Sequence, residues 1–347
     1  MKNLLLLTAS LFLALGLSEI AFRLFSPQQL VLMNTDKIWR KDALLGWRNR
    51  ENADTWVNTG DKRVHFLTDE NGFRIGDFEG AKENPAFAVL HLGDSYVEAL
   101  QVDFEETIPR IADKALAEKG IEVRSVNTGV AGWNPNQYLA EARQLMKNKK
   151  FDAVVVYLTT DNDLIREKKS AFSAAQVGLE ISRARVSLPY LLDDFLVRRS
   201  HLYVFVKGRL RALIGAAGLE RDQYQLQGIF IRREAEDVAW ETTAQVCKMI
   251  SAEFGKTRTP VIFVLLPAPY QVYPEIFAKY LQRTGIHAEK TDIQQPNRKL
   301  AEAFRNKGLD LMDPLESLRQ TAARGKTLYG RVIFPRKSGH NEELVAA

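Results

Sequence analysis

Cysteine is nearly absent: Cys247 is the only one in 347 residues. A single thiol forms no intramolecular disulfide and no thiolate metal cage, so disulfide-scaffold and zinc-ribbon readings are excluded. Cys247 itself reads as a small buried hydrophobe. Glycine (21) and proline (12) together make less than a tenth of the chain and follow no Gly-x-y period, which excludes collagen-like and low-complexity classes. Charge of one sign is scarce as well. With 48 basic and 43 acidic side chains the formal charge is +5, too dilute over this length to imply a nucleic-acid partner. No internal repeat is visible, and no cofactor or metal site is expected. What the chain does have is apolar residues, 46% of the total, enough for one large core or two modest ones.

The first concentration of them is N-terminal. Lys2 precedes a charge-free, leucine-dominated run from Asn3 to Ser18, the pattern of a secretory signal core. On its own the run is shorter than the ~20 residues that span a bilayer. Ile20, Ala21, Phe22, Leu24 and Phe25 extend it to spanning length if Glu19 and Arg23 pair one helical turn apart. Small residues at Ala14 and Gly16 suit cleavage, whereas the apolar continuation suits an uncleaved anchor; both stay open. Residues 1–27 are therefore read as a signal peptide or membrane anchor. The body is expected to be exported to the periplasm or cell envelope, with the membrane as a partner through this segment if it is uncleaved.

Residues 28–85 read as an N-terminal extension packed on the core: polar, rich in Asn and Asp, with Trp39, Trp47, Trp56 and a turn at Asn71-Gly72, a composition of short strands and loops. Residues 86–347 form the main domain. Apolar runs at 88–92, 123–127 and 153–158 alternate with helical stretches at 105–119 and 136–147. This order predicts an α/β domain with a parallel sheet covered by helices on both faces. Further members are a strand at 261–266, helices near 273–283 and 295–307, and a strand at 309–312. From about 164 to 235 the alternation stops, and two amphipathic segments, 188–199 and 201–214, read as an inserted helical pair. Their basic residues Arg198, Arg199, Lys207, Arg209 and Arg211 suit lipid headgroups, an acidic ligand or the solvated face of a packing helix.

In an open α/β sheet the residues that reach a ligand lie at the carboxyl ends of strands. Three ends are unusual here. The first carries Gly93-Asp94-Ser95, where glycine allows a tight turn and the hydroxyl lands at a helix entrance beside free N–H groups; an N-cap serine would look the same. The second is Asn127-Thr-Gly-Val-Ala-Gly-Trp133, in which Gly129 and Gly132 let the backbone approach a reacting group and Trp133 is a candidate cleft wall. The third runs into Thr159-Thr160-Asp161-Asn162-Asp163, where Asn162 either aims its amide at a developing oxyanion or forms an Asx turn. Of the five histidines, His91 lies within a strand and reads as core. His340 follows the last strand, where a general base for Ser95 would return to the site.

The order Gly93-Asp94-Ser95, Gly132, Asn162-Asp163 and His340 resembles the SGNH/GDSL hydrolase superfamily. Leu45-Gly46-Trp47-Arg48, Asn71-Gly72-Phe73-Arg74 and Gln101-Val102 are similar to its envelope-anchored members. The resemblance covers about 40–163, thins through the insert and returns at the C-terminus. It implies a flavodoxin-like three-layer α/β/α sandwich with Ser95 as nucleophile and His340 as base. The oxyanion hole would comprise the Ser95 and Gly132 N–H groups and the Asn162 side chain. Two departures stand out. Position 160 is threonine where the family's third block has glycine, and Lys337 and Ser338 occupy the positions before His340 where the family places its triad aspartate. A rival register pairs Gly339-His340 with a Gly-His pair found downstream of the catalytic histidine, which would put Val332 and Phe334 at the catalytic positions and leave a dead site. Two functions are therefore expected. One is a serine esterase or acyltransferase acting on a small-molecule ester, or on O-acyl, including O-acetyl, groups of an envelope glycan or lipid. The other is a catalytically silent relative that binds an envelope polymer or partner.

The leucine run generates a direct test: a reporter fused after Phe25 is expected to appear on the far side of the membrane. A reporter that stays in the cytoplasm rules out export.

Overall fold

The segments Ala88–Leu92 and Ala153–Thr159 are buried over most of their length, as strands covered on both faces must be, whereas burial alternates along Asp54–Asn58 and Arg63–Thr68. The computed structural model describes residues 2–60, 62–77, 87–160, 163, 188–216, 230, 237–284, 286–325 and 328. The strands are β1 (Trp39–Asp42), β2 (Gly46–Asn49), β3 (Asp54–Asn58), β4 (Arg63–Thr68), β5 (Arg74–Ile75), β6 (Ala88–Leu92), β7 (Arg124–Asn127), β8 (Ala153–Thr159), β9 (Val261–Leu266) and β10 (Leu311–Met312). β1 and β2 form a separate hairpin; the others make one sheet in the order β10-β9-β8-β6-β7-β5-β4-β3. The pairs β10–β9, β9–β8, β8–β6 and β6–β7 are parallel. Counted along the chain, these five strands lie in the order 2-1-3-4-5, the flavodoxin-like arrangement. The chain is thus a mixed α/β protein with a mostly parallel central sheet. The extension adds β5, β4 and β3 antiparallel at the β7 edge, through the pair Arg74 and Asn127.

The helices are α1 (Lys2–Phe25), α2 (Thr35–Ile38), α3 (Ser95–Glu98), α4 (Ile108–Ala117), α5 (Pro135–Leu145), α6 (Leu188–Val197), α7 (His201–Ala216), α8 (Asp237–Gly255), α9 (Pro269–Val272), α10 (Pro274–Thr284), α11 (Gln295–Asn306) and α12 (Leu315–Ala323). β8 shows how they are layered. Val154, Val156 and Leu158 face one core with Tyr138 and Ala142 of α5, Ala244 and Phe254 of α8 and Phe304 of α11. Val155 and Tyr157 face the other, with Ile108 of α4 and Leu315 and Leu318 of α12.

Differences from the sequence expectation are local. The helix expected over 105–119 is split into a 3-10 turn, Phe104–Glu106, and α4, because Pro109 sits in the first turn of a new helix entered at Thr107. The strand expected at 309–312 shrinks to Leu311–Met312. α8 was not anticipated, although Trp240, Ala244, Cys247, Ile250 and Phe254 mark its buried face at helical spacing. Cys247 is fully buried and free, as expected. The amphipathic segments are helices α6 and α7; 164–187, 217–229 and 231–236 lie outside the described residues.

Phe254 and Met249 share α8 but not its environment: Phe254 is fully buried and Met249 is 38% exposed. Phe254→Ala is expected to cost about 3–5 kcal/mol of unfolding free energy and Met249→Ala less than about 0.5, measured as shifts in denaturant midpoint. Equal losses would contradict this core assignment.

Candidate active site

β6 lies between β7 and β8, where the strand order reverses, and its carboxyl end delivers Gly93-Asp94-Ser95. A Cβ at Gly93 would sit 2.3 Å from Val97 Cγ2, so the turn needs glycine. Asp94 caps α3, its carboxylate accepting from Tyr96 N–H (3.0 Å) and from Thr159 Oγ1 (3.0 Å). Ser95 is 3% exposed, and its Oγ has no hydrogen-bond partner among the described residues.

The second strand end lies against α3. A Cβ at Gly129 would come within 2.3 Å of the Glu98 nitrogen, and Gly132 has φ of +78°, a left-handed conformation suited to glycine. Asn127 Nδ2 donates to Val97 O (2.8 Å) and Val130 N–H to Gly93 O (3.3 Å). The Gly132 N–H makes no hydrogen bond among the described residues. Trp133 does not wall a cleft, contrary to expectation. It is 1% exposed in the core, with Nε1 donating to Trp47 O (2.8 Å).

Sequence reasoning missed the residues that clamp this loop to α3. Glu98, fully buried, accepts from Trp39 Nε1 (2.6 Å) and from Ala131 N–H (2.9 Å), next to Gly132. Arg74 is 2% exposed and donates to the carbonyls of Glu98 (2.5 Å), Ala99 and Val102 (2.6 Å), closing the C-terminal end of α3. Ala99 there has φ of +53°. Trp47 Nε1 donates to Ala131 O (2.8 Å) and Asn49 Nδ2 to Gly129 O (3.1 Å). The sequence held a signal for two of them, Trp47 and Arg74, through the likeness of Leu45–Arg48 and Asn71–Arg74 to envelope-anchored hydrolases. Burial pushes the Glu98 carboxyl up to about 8, against the lowering effects of Trp39, Ala131 and Arg74.

At the third strand end the Thr160 hydroxyl donates to Gln271 Oε1 (2.9 Å), which gives the residue replacing glycine its own partner. Asp163 accepts from Tyr138 Oη (3.0 Å) and Thr159 N–H (2.7 Å). Burial, followed by the Asp94 charge, pushes its carboxyl well above the usual range. Asn162 and His340 lie outside the described residues, as do Lys337 and Ser338. The other four histidines lie in other parts of the fold. His91, held neutral by burial that lowers it to about 3, meets Tyr157 Oη and Ser125 Oγ. His65 bridges Asp54 and Asp77, His201 Nδ1 accepts from Gln28 N–H, and His287 precedes a 3-10 turn. Among the described residues no group of three or more His, Cys, Asp or Glu is placed to hold a metal ion.

No protein-family model and no curated protein matches the chain by sequence. Comparison of structures does find solved neighbours. AlinE4, an SGNH-hydrolase family esterase, shares 14% identity over 68% of this chain and 80% of its own, with a TM-score of 0.35. A member of the lipolytic protein G-D-S-L family from Veillonella parvula shares 12% over 72% and 90%, with a TM-score of 0.35. The acetyl xylan esterase AlAXEase shares 11% over 69% and 82%, also at 0.35.

The raised Glu98 carboxyl has a measurable consequence. Between its unfolded value of 4.5 and about 8 the folded state keeps a proton that the unfolded state releases, so this group's contribution to stability falls as pH rises. Glu98→Gln has no such proton. The unfolding free energy of wild type minus that of Glu98→Gln should therefore fall from pH 5 to pH 8 in chemical denaturation, whereas a constant difference would mean a carboxyl already ionised at pH 5.

Proposed function

We propose that this chain is an envelope-anchored serine esterase or acyltransferase acting on O-acyl groups, acetyl among them, of a glycan or lipid. The observation that carries the reading is Ser95 Oγ: buried, with no hydrogen-bond partner among the described residues, at the carboxyl end of the strand where the sheet order reverses. In this reading 1–27 is the anchor, 28–85 the extension and 86–347 the catalytic domain, with its insert at about 164–235. Ser95 Oγ attacks the acyl carbonyl while His340 takes its proton, and the alcohol leaves with that proton. Charge on the tetrahedral oxygen is met by the Ser95 and Gly132 N–H groups and the Asn162 amide. Water or an acceptor hydroxyl then resolves the acyl-enzyme. Leu328 supports the return of the C-terminal segment to this site: it is fully buried in the cluster that holds Tyr96 and Val97, twelve residues before His340. That spacing reaches at most about 40 Å when extended.

One observation favours the silent-binder reading: Lys337 and Ser338 stand where an acid would orient the histidine. Loss of that acid function lowers turnover about 10⁴-fold in a serine protease, so hydrolysis is expected to be weak. Release of acetate from a small acetyl ester tests both readings. Ser95→Ala and His340→Ala should abolish it, and Asn162→Ala should lower kcat by about 10²–10³-fold. Ser338→Asp should raise the rate. Equal rates in wild type and all four variants would leave only the binding protein.

A further inference from the structure

Helices α6 and α7 take no part in the machinery assigned above, yet they are joined to the end of α1. Glu19 of α1 accepts hydrogen bonds from Ser200 Oγ (2.8 Å), His201 N–H (3.0 Å) and Leu202 N–H (3.0 Å). One helix thereby supplies the cap for the orphan donors of another. Arg23, paired with Glu19 at 2.7 Å, donates to Arg199 O (2.7 Å), and the Phe22 and Phe205 rings lie 4.6 Å apart. From the other side Val31 N–H donates to Val197 O (3.1 Å) and Arg198 to Met33 O (2.6 Å). Leu32 then pairs with Asn58 at the end of β3. A continuous set of hydrogen bonds thus runs from α1 through α6 and α7 to the edge of the sheet.

The outer side of this pair is apolar. Leu188, Leu192 and Phe195 are 77%, 56% and 52% exposed, and Val206, Leu210 and Leu213 are 51%, 55% and 68% exposed. Each trio is spaced i, i+4, i+7, which makes one stripe along each helix. Five basic and two acidic residues accompany the stripes over 188–216. Asp194 pairs with Arg198 and Asp193 with Lys207, leaving a positive surplus. Arg199 and Arg209 lie over the rings of Phe195 and Phe205, cationic heads beside apolar bodies. α1 has 24 residues, none buried, and is long and apolar enough to cross a membrane. Its length of ~36 Å exceeds a hydrocarbon core of ~30 Å. The occupant must be apolar in depth, anionic at its surface and continuous with the surroundings of α1.

We infer that α6 and α7 lie in the surface of the bilayer that α1 spans, with the two apolar stripes at the headgroup–acyl boundary and the arginines among anionic headgroups. This rests on reading α1 as a retained anchor. The pair then acts as a platform that fixes the orientation of the sheet relative to the membrane.

The test uses the full chain in proteoliposomes of phosphatidylcholine and phosphatidylglycerol with brominated acyl chains, which quench a nearby fluorophore. Environment-sensitive labels go on single introduced cysteines, since Cys247 is fully buried. Leu192→Cys, Leu210→Cys and Leu213→Cys report on the platform. Leu13→Cys reports on α1, and Met312→Cys, 57% exposed at β10, on the body away from the platform. The platform labels should be quenched at least about twofold more than the Met312→Cys label. Quenching at position 13 with none at 192, 210 and 213 would overturn the platform while leaving the anchor; no quenching at any site would overturn both. Platform labels that quench one another between copies, but not with brominated lipid, would assign the stripes to self-association and overturn the inference.

Discussion

The Arg74 guanidinium, enclosed among the carbonyls that end α3, is the contact on which the serine's position depends. A helix of four residues has no stability of its own, and its last carbonyls need donors from elsewhere. Arg74 supplies them to Glu98, Ala99 and Val102, places a positive charge where the backbone dipoles leave a negative one, and offsets part of the cost of burying Glu98. It also holds Ala99 in a left-handed turn that costs an L-residue about 1–2 kcal/mol. The same residue pairs with Asn127 in the sheet, so one position joins the extension to the core and closes the turn behind Ser95.

Around this contact the interior is unusually acidic. Glu98 fastens the Gly132 loop to Trp39, while Asp94 and Asp163 both approach the Thr159 hydroxyl, at 3.0 and 3.3 Å. One hydroxyl proton cannot serve two ionised carboxylates, and burial together with the Asp94 charge raises the Asp163 carboxyl toward its protonated form. Buried networks of this kind hold their members in one arrangement because every alternative leaves a polar group unpaired. The strand ends bearing Ser95 and Asp163 are thereby tied to each other as well as to the sheet.

Most of the sheet was legible because its strands are apolar runs whose alternation with helices has one economical solution, and the placement of Ser95 and Gly132 just beyond two of those strands was legible for the same reason. The clamps were not. Trp39 meets Glu98 across 59 positions and Arg74 meets its carbonyls across 24 to 28, distances at which no local pattern operates. Trp133 looked like a cleft wall because its loop ends a strand, but its indole N–H finds the Trp47 carbonyl and the ring goes inward. Thr160 departs from the SGNH/GDSL motif that its segment resembles, and its hydroxyl finds its partner in Gln271, 111 positions away. α8 was overlooked for a different reason: its face is periodic, but it follows a stretch where the alternation had stopped.

The two ends of the eight-stranded sheet bear on how the protein behaves when crowded. A long bare edge strand is a template for another chain to add to. Here β10 is two residues long, and β3 is crossed at its far end by reciprocal hydrogen bonds between Leu32 and Asn58 (2.8 and 2.7 Å). Asp54, exposed at the other end of β3, puts a charge where an incoming strand would have to align. Among the described residues, the two ends of this sheet therefore offer an approaching copy little bare strand to extend.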